Sequence, residues 1–583
     1  MNTDYDVEKV LSKSGVMTLK VNGFLLHSKY DPLKEAEQIV ENKFKPNYLH
    51  IVFGYGLGYL TKLLRKKIND QEEILIIDPI AKIINEDLEE DIISDIYDKK
   101  FLSILDDKVR KFNRRIHIIS SPNYEKILDT QYRDLLKITK DRINLNKVSE
   151  NTVRSFAKTW QRNYIFNLIN TTRDKSLSEL ENKFTYPVVI ASGGPSLTKQ
   201  LLQLKKVKDS VIIIAAGSTI NTLLKNEIEP DFVVSVDGSE NNYNHFKDLK
   251  LKKTKYIYSF YSHFGIRNSF ESNAYLFDTT GNNNIKSHLS YLTEANYPTL
   301  IGGGSVANYA FTIANYISNG PIALIGQDLA YTDNKTHAEF NKNYSEIDED
   351  FKRKRGIFST EGYYGEEVLT DYVFFSMKDS FEKLKSLAEK DREIFNCTEG
   401  GILLKGFSQI SFKDFCAEYI NTSSERDKLV EDINSSLLIL DKQMDLIKQM
   451  ELEIRKYKTI KKLLVENIGI LNKNKSTTNF TTKALKQLNS NDEKLKKICG
   501  EVSFVSIFEP LTLNIQNNYL PSPNETSKET YNRVYNQNKE LYTGLIEAVG
   551  LTNEYTNQLV SKIKKDIEDE NNGYVINRNN GKL

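Results

Sequence analysis

Val188-Val189-Ile190-Ala191-Ser192-Gly193-Gly194-Pro195-Ser196-Leu197 decides how the chain is read. An unbroken apolar run suits a strand buried on both faces, and the glycines after it allow a tight turn. Leu201, Leu202 and Leu204 carry the pattern on at helical spacing. The stretch is therefore strand, turn and helix, the repeating piece of an α/β domain. Pro195 stiffens the turn or starts the helix. Ser196 brings a hydroxyl to a helix N-terminus, where free N–H groups and the dipole favour phosphate.

The pattern recurs downstream. Apolar runs at 211–216, 232–236, 256–260 and 322–325 predict further strands of one parallel sheet covered by helices. The second run opens on Gly217-Ser218 and the third on Asp237-Gly238. Small or acidic groups at successive strand ends share one crevice at the carboxyl edge of such a sheet, where ligands of open α/β folds bind. Ordinary βα turns are the plainer reading of each taken alone. Gly302-Gly303-Gly304-Ser305 precedes another apolar helix, and the run 322–325 ends in Gly326-Gln327-Asp328-Leu329-Ala330-Tyr331. His337 follows shortly, placed for proton transfer near neutral pH, although a lone loop histidine is more often a surface residue. The polar stretch 338–364 reads as a long loop or lid.

The flanks differ from this centre. Residues 1–145 form a Rossmann-like α/β domain, with strands at 49–53, 74–77 and 116–119. Gly54-Tyr55-Gly56-Leu57-Gly58 and Asp78 are either a nucleotide or adenosyl site or simply a tight βα turn. Residues 146–185 are a helical connector carrying the only tryptophan, Trp160. The central domain spans 186–410, and 411–583 is all-helical. Ile433, Leu437, Leu440, Met444, Ile447 and Ile454 give the latter an amphipathic stripe.

Composition bounds the rest. The chain has 583 residues, 39% hydrophobic and 27% charged, the profile of a globular protein of several domains. Lys and Arg total 80 against 79 Asp and Glu, so no overall field favours nucleic acid or an anionic membrane. Three scattered cysteines exclude a disulfide framework and a cysteine zinc motif, and suit a reducing compartment. With no signal-peptide pattern and no apolar stretch long enough to span a bilayer, a cytoplasmic location is expected.

From about residue 187 to 407 the chain resembles the motility accessory factor (Maf) family of flagellin glycosyltransferases. The turn 191–197, Pro230-Asp231 through Val236-Asp237, and Gly303-Gly304-Ser305-Val306-Ala307 carry the likeness, as do Gly326 to Tyr331 with Thr336-His337-Ala338, and Asn396-Cys397-Thr398-Glu399-Gly400-Gly401. The family's central domain is in turn similar to bacterial sialyltransferases. The resemblance implies a CMP-activated nonulosonic acid donor, of the pseudaminic or legionaminic type, with Ser or Thr of flagellin as acceptor, in support of the flagellum. It assigns Gly193, Gly194, Pro195 and Ser196 to the nucleotide phosphate, with Ser192 in the substrate site, Gly217, Ser218 and Asp237 to nucleotide or sugar, and Gly304 and Ser305 to the nucleotide. Gln327 and Asp328 join the substrate site, His337 becomes the base and Tyr331 a helper at the leaving phosphate. The sialyltransferases carry an amide where Asp237 stands here.

Departure of CMP needs donors on its phosphate and a base for the incoming hydroxyl, which Tyr hydroxyls and helix N-termini with a His can supply. No Asp-x-Asp pair follows a strand of this domain and no His cluster has ligand spacing, so no metal or cofactor is expected. The helical tail either packs over the sheet or joins two copies of the chain, or else recognises flagellin. Archaeal pterin pyrophosphokinases share the central domain; that Mg-ATP chemistry would recruit Asp231, Asp237 and Asp328. A non-catalytic flagellin-binding scaffold is the third alternative.

Overall fold

Apolar runs need cover on both faces, and the arrangement of sheets and helices supplies it. The computed structural model describes residues 5–81, 92–113, 115–281, 283–293, 295–388, 392–421, 436–475, 479–502, 505–522 and 525–580. The chain divides into two compact units, residues 1–151 with 520–526, and residues 152–519 with 527–583.

The first unit opens with the antiparallel strands β1 (Val7–Leu11), β2 (Met17–Val21) and β3 (Phe24–Leu25). Its parallel sheet contains β4 (Leu49–Phe53), β5 (Glu73–Ile77), β6 (Ile92–Ile93) and β7 (Ile116–Ser120), in the order β6-β5-β4-β7. Central β4 is buried along its whole length. The three strands expected here are present; β6, two residues long, is too short to give a periodic signal.

The second unit is built on a nine-stranded parallel sheet. Its strands are β8 (Lys175–Ser176), β9 (Val188–Ala191), β10 (Ile212–Ala216), β11 (Phe232–Ser235), β12 (Lys255–Ser259), β13 (Ala274–Phe277) and β14 (Ile322–Ile325). After an antiparallel hairpin of β15 (Phe358–Glu361) and β16 (Glu367–Thr370), β17 (Ile394–Asn396) and β18 (Ser408–Gln409) complete it. The order is β18-β17-β14-β9-β10-β11-β12-β13-β8. All five expected runs are strands with no exposed residue. Alternate side chains serve opposite faces. Val189, Ile213 and Val233 pack with Leu197, Leu201 and Leu204 of the helix Leu197–Val207. Val188, Ile190 and Ile214 pack with Ala310, Ile313 and Ile317 of the helix Val306–Ile317.

Residues before the sheet belong to its core. Tyr164, Ile165 and Leu168, at the end of the helix Asp129–Asn167 and just beyond it, join the same cluster as Val189. Asn163 Nδ2 donates to the carbonyls of Gly238 (3.0 Å) and Tyr261 (3.2 Å). Asn167 Nδ2 donates to those of Phe260 (2.9 Å) and Ser262 (2.8 Å). Two amides thereby tie down the loops that leave β11 and β12.

The stretch 338–364, read as a long loop or lid, holds the helix Glu349–Arg355 and strand β15. Asp348 caps that helix by accepting from Phe351 N, and Gly356 ends it in the left-handed region, so polar composition masked ordinary capping signals. Four long helices follow: Ser436–Lys473, Thr482–Cys499, Val505–Asn518 and Ser527–Asn580. The first and last run antiparallel, for Glu451 pairs with Lys564 while Asn474 accepts from Tyr531. Ile447 is buried in the expected stripe, whereas Met444 is 46% exposed. Ile433 and the side chain of Leu437 lie outside the described residues. Among the described residues no helix is long and apolar enough to cross a membrane.

Candidate functional site

Parallel strands bring all their carboxyl ends to one edge. From β9 the chain builds outward through β10, β11, β12 and β13, then returns to place β14 on the other side of β9. The connections diverge between β14 and β9, and the crevice at such a switch point is the binding place of open α/β sheets. A cleft of about 250 Å³ lies there.

Each strand end contributes to its lining. Ser192, Gly193, Gly194 and Pro195 follow β9, Gly217, Ser218 and Thr219 follow β10, and Asp237 follows β11. Gln327 and Asp328 follow β14, and His337 comes from the loop beyond. Ser305 and Val306 open one helix into the cleft, while Phe374 and Met377 of the helix Tyr372–Leu387 form an apolar wall. Among the described lining residues there is no Lys or Arg. An anion held here would rest on hydroxyls, amides and backbone N–H groups.

The turn after β9 has a carboxylate of its own. Asp328, fully buried, accepts from Ser196 Oγ (2.6 Å), Ser196 N (3.2 Å) and Thr332 Oγ1 (2.7 Å). Burial raises its pKa, opposed by those hydrogen bonds. Ser196 is therefore spent on Asp328 and stands outside the lining, so the start of the helix Leu197–Val207 is partly neutralised from within. Gly194 is required by this packing: a Cβ would strike Asp328 Oδ2 and lie 2.6 Å from the Gly326 carbonyl. Ser192 Oγ donates to Gln327 Oε1 at 2.6 Å, and Gln327 N donates to Thr398 Oγ1 at 3.1 Å. The block Asn396 to Gly401 is thus the back wall of the turn. A Cβ on Gly400 would meet Ser196 Oγ at 2.5 Å, and one on Gly401 would strike the Asp328 backbone.

His337 is partly buried. Its Nδ1 is enclosed, with no hydrogen-bond partner among the described residues. Burial lowers its pKa, opposed by the Asn343 backbone, so the ring is neutral at pH 7. Ala338 N donates to the Gly193 carbonyl at 2.9 Å, fastening the histidine's loop to the turn after β9.

Tyr331 is placed elsewhere. Its hydroxyl donates to Asp371 at 2.9 Å, Arg355 pairs with the same carboxylate at 3.1 Å, and burial raises its pKa to about 12. Gly304 also stands outside the lining. The neighbouring glycines have packing reasons, since a Cβ on Gly302 would meet the Tyr309 ring and one on Gly303 would strike Ser380. Ser305 caps its helix by accepting from Asn308 N at 3.2 Å.

Asn242, His245 and Asn343 line the cleft without having been singled out in the sequence. Asn242 Nδ2 donates to Ser235 Oγ (2.9 Å) and to the Asp237 carbonyl (2.8 Å). No motif marks these residues; the folding of 235–245 back onto β10 brings in Asn242 and His245, and the loop that Asn341 ties to Ser218 brings in Asn343.

The glycine turn of the first unit is filled by its own side chains. Asp78, fully buried, accepts from Tyr55 N (2.8 Å) and Tyr124 Oη (2.7 Å). His27 Nε2 accepts from Leu57 N at 3.0 Å. The Tyr124 ring lies where a Cβ of Gly54 would be, and His27 where one of Gly56 would be.

A family model described as 6-hydroxymethylpterin diphosphokinase MptE-like matches residues 162–334. No curated protein matches the chain. Among solved structures, the Maf glycosyltransferase from Magnetospirillum magneticum AMB-1 is 15% identical with a TM-score of 0.46, over 97% of this chain and 92% of that one.

Proposed function

We propose that the chain is a glycosyltransferase that moves a nonulosonic acid from a CMP-activated donor to a Ser or Thr hydroxyl of flagellin. The observation that carries this reading is the neutral His337 in the cleft lining, fastened beside the turn after β9. The acceptor oxygen attacks the anomeric carbon, its proton passes to His337, and the bond to the phosphate breaks with its electron pair leaving on CMP. Ser218, with the backbone of the Gly193 turn, donates toward the phosphate; Phe374 and Met377 flank the base or sugar. Donor, acceptor class and the base role are inferences from cleft chemistry and the sequence blocks together.

The test is transfer itself. Purified chain, CMP-nonulosonate and flagellin should give a mass gain of one sugar on Ser or Thr. His337→Ala should lower kcat by about 10²-fold or more, the usual contribution of a general base, while CMP binding persists. Full activity in that variant removes the base from this position.

The match over 162–334 favours one second reading, pyrophosphoryl transfer from Mg-ATP to a pterin. Of the carboxylates it would recruit, Asp231 precedes β11 at the opposite sheet edge and accepts from Ile213 N at 2.9 Å. Asp328 is committed to Ser196 and Thr332. That leaves Asp237, half-buried in the cleft wall, to hold the metal alone. ATP turnover with 6-hydroxymethylpterin, and none with CMP-sugar, would decide for it.

A further inference from the structure

Asn242 is held by its nitrogen, which leaves its oxygen to the cleft. It lies on the one-turn helix Glu240–Asn244, just past the end of β11, and is 6% exposed. Its Nδ2 is 2.8 Å from the Asp237 carbonyl, a group that can only accept, so the amino group is the half of the amide found there. The same nitrogen donates to Ser235 Oγ at 2.9 Å. Turning the amide over would set two oxygens against each other. Oδ1 is thereby fixed on the other side, 3.8 Å from where a Cβ of Gly217 would stand, and Gly217 and Asn242 both line the cleft. Asn242 Oδ1 accepts no hydrogen bond from the described residues.

Asp237 adds a second acceptor. Its Oδ1 accepts from Ser239 N at 2.8 Å, and Ser239 Oγ accepts from Asn242 N at 3.1 Å, so the two residues are fixed as one unit. Asp237 Oδ2 accepts no hydrogen bond from the described residues and belongs to the same lining. The ends of β9 and β10 differ in kind. Ser218 Oγ accepts from Asn341 Nδ2 at 3.3 Å and keeps its own proton to donate, beside the backbone of the Gly193 turn. The cleft therefore has a donor side at the ends of β9 and β10 and an acceptor side at the end of β11. A phosphate belongs on the first. The second repels anions and takes hydroxyls. Of the two sugars joined to the phosphate of a CMP-nonulosonate, the nonulosonate carries a carboxylate at the linking carbon, while ribose offers only hydroxyls.

We propose that Asn242 is a binding and specificity residue whose Oδ1 accepts from a hydroxyl of the nucleotide's ribose, with Asp237 Oδ2 on the same side taking the neighbouring one. The proposal rests on the reading of the cleft as the site of a CMP-activated donor. Such a site selects ribonucleotides by a fixed acceptor, because an analogue lacking the hydroxyl leaves a buried carboxamide oxygen unpaired.

Calorimetric titration with CMP, 2′-deoxy-CMP and 3′-deoxy-CMP tests it. The wild-type chain should bind CMP, and should bind one of the two deoxynucleotides about fivefold more weakly, the range of one neutral hydrogen bond. This comparison needs no variant. Asn242→Ala should weaken CMP by a similar factor and bind that deoxynucleotide as well as CMP, a loss of coupling that a merely structural role would not produce. Circular dichroism confirms that the variant is folded. A wild-type chain that ignores CMP overturns the donor reading and this proposal with it. A wild-type chain that binds CMP and both deoxynucleotides equally, or an Asn242→Ala chain that keeps the discrimination, overturns this proposal alone. So does a preference for CMP over UMP that Asn242→Ala abolishes while the ribose hydroxyls make no difference, since that puts the cytosine amino group at Oδ1.

Discussion

Asp328 shows how much a single residue holds in place here. It is an acid in a strand-end motif, and by residue type it reads as a ligand-binding group. In the fold it is an internal anchor, accepting from Ser196 and Thr332 with Gly194 pressed against it. Replacing it with Ala leaves a buried N–H and two hydroxyls without partners, which costs about 2 to 4 kcal/mol. Thermal denaturation of Asp328→Ala should show that loss together with weakened CMP binding, because the turn after β9 is released. Weak binding at unchanged stability would make Asp328 a direct ligand group. Motif position alone could not separate these roles: Ser196 and Asp328 are 132 residues apart, and their contact exists only because β14 lies beside β9. Tyr331 teaches the same lesson, since its partner Asp371 caps a helix 40 residues further on.

At the scale of elements, continuous apolar runs gave the central strands because full burial leaves no alternation to blur them. Edge strands β8 and β18, two residues each, leave no such trace. The cleft was legible as a set of strand ends, because parallel strands send every carboxyl end to one edge. What could not be read was which small-residue turn stays open. The turn after β4 and the turn after β9 look alike as strings. In the first, Tyr124, His27 and Asp78 fill the space a ligand would need. Asp78→Ala should therefore destabilise the first unit by about 2 to 4 kcal/mol, by stranding the Tyr55 amide and the Tyr124 hydroxyl. NAD and S-adenosylmethionine should leave the melting temperature of the wild-type chain unchanged. A shift with either would reopen that turn as a binding site.

The whole molecule carries a pH dependence in the histidines of its first unit. In the first unit, burial lowers the pKa of His27 to about 4, and burial with His117 and Lys45 lowers that of His50 to about 4 against the pull of Glu72. Both rings accept backbone hydrogen bonds through Nε2, His27 from Leu57 N at 3.0 Å and His50 from Lys45 N at 3.1 Å. Protonation would remove those acceptors. Unfolded histidine titrates near 6.5, so below that pH the unfolded chain binds protons that the folded chain refuses. Stability contributed by these rings is whole above about pH 6.5 and falls as the pH drops toward 4, by on the order of 3 kcal/mol for His27. Protection factors at the amides of β4, β5 and β7, which take out the intrinsic pH dependence of exchange, should fall across that window, and His27→Gln, which still offers an acceptor to Leu57 N, should flatten the slope. His337 moves the same way, so the acid limb of kcat/KM should lie below pH 6.5. Protection factors that stay level from pH 6.5 to 4.5 would mean that His27 and His50 are protonated in the folded chain, and the buried acceptor role assigned to both rings would fall.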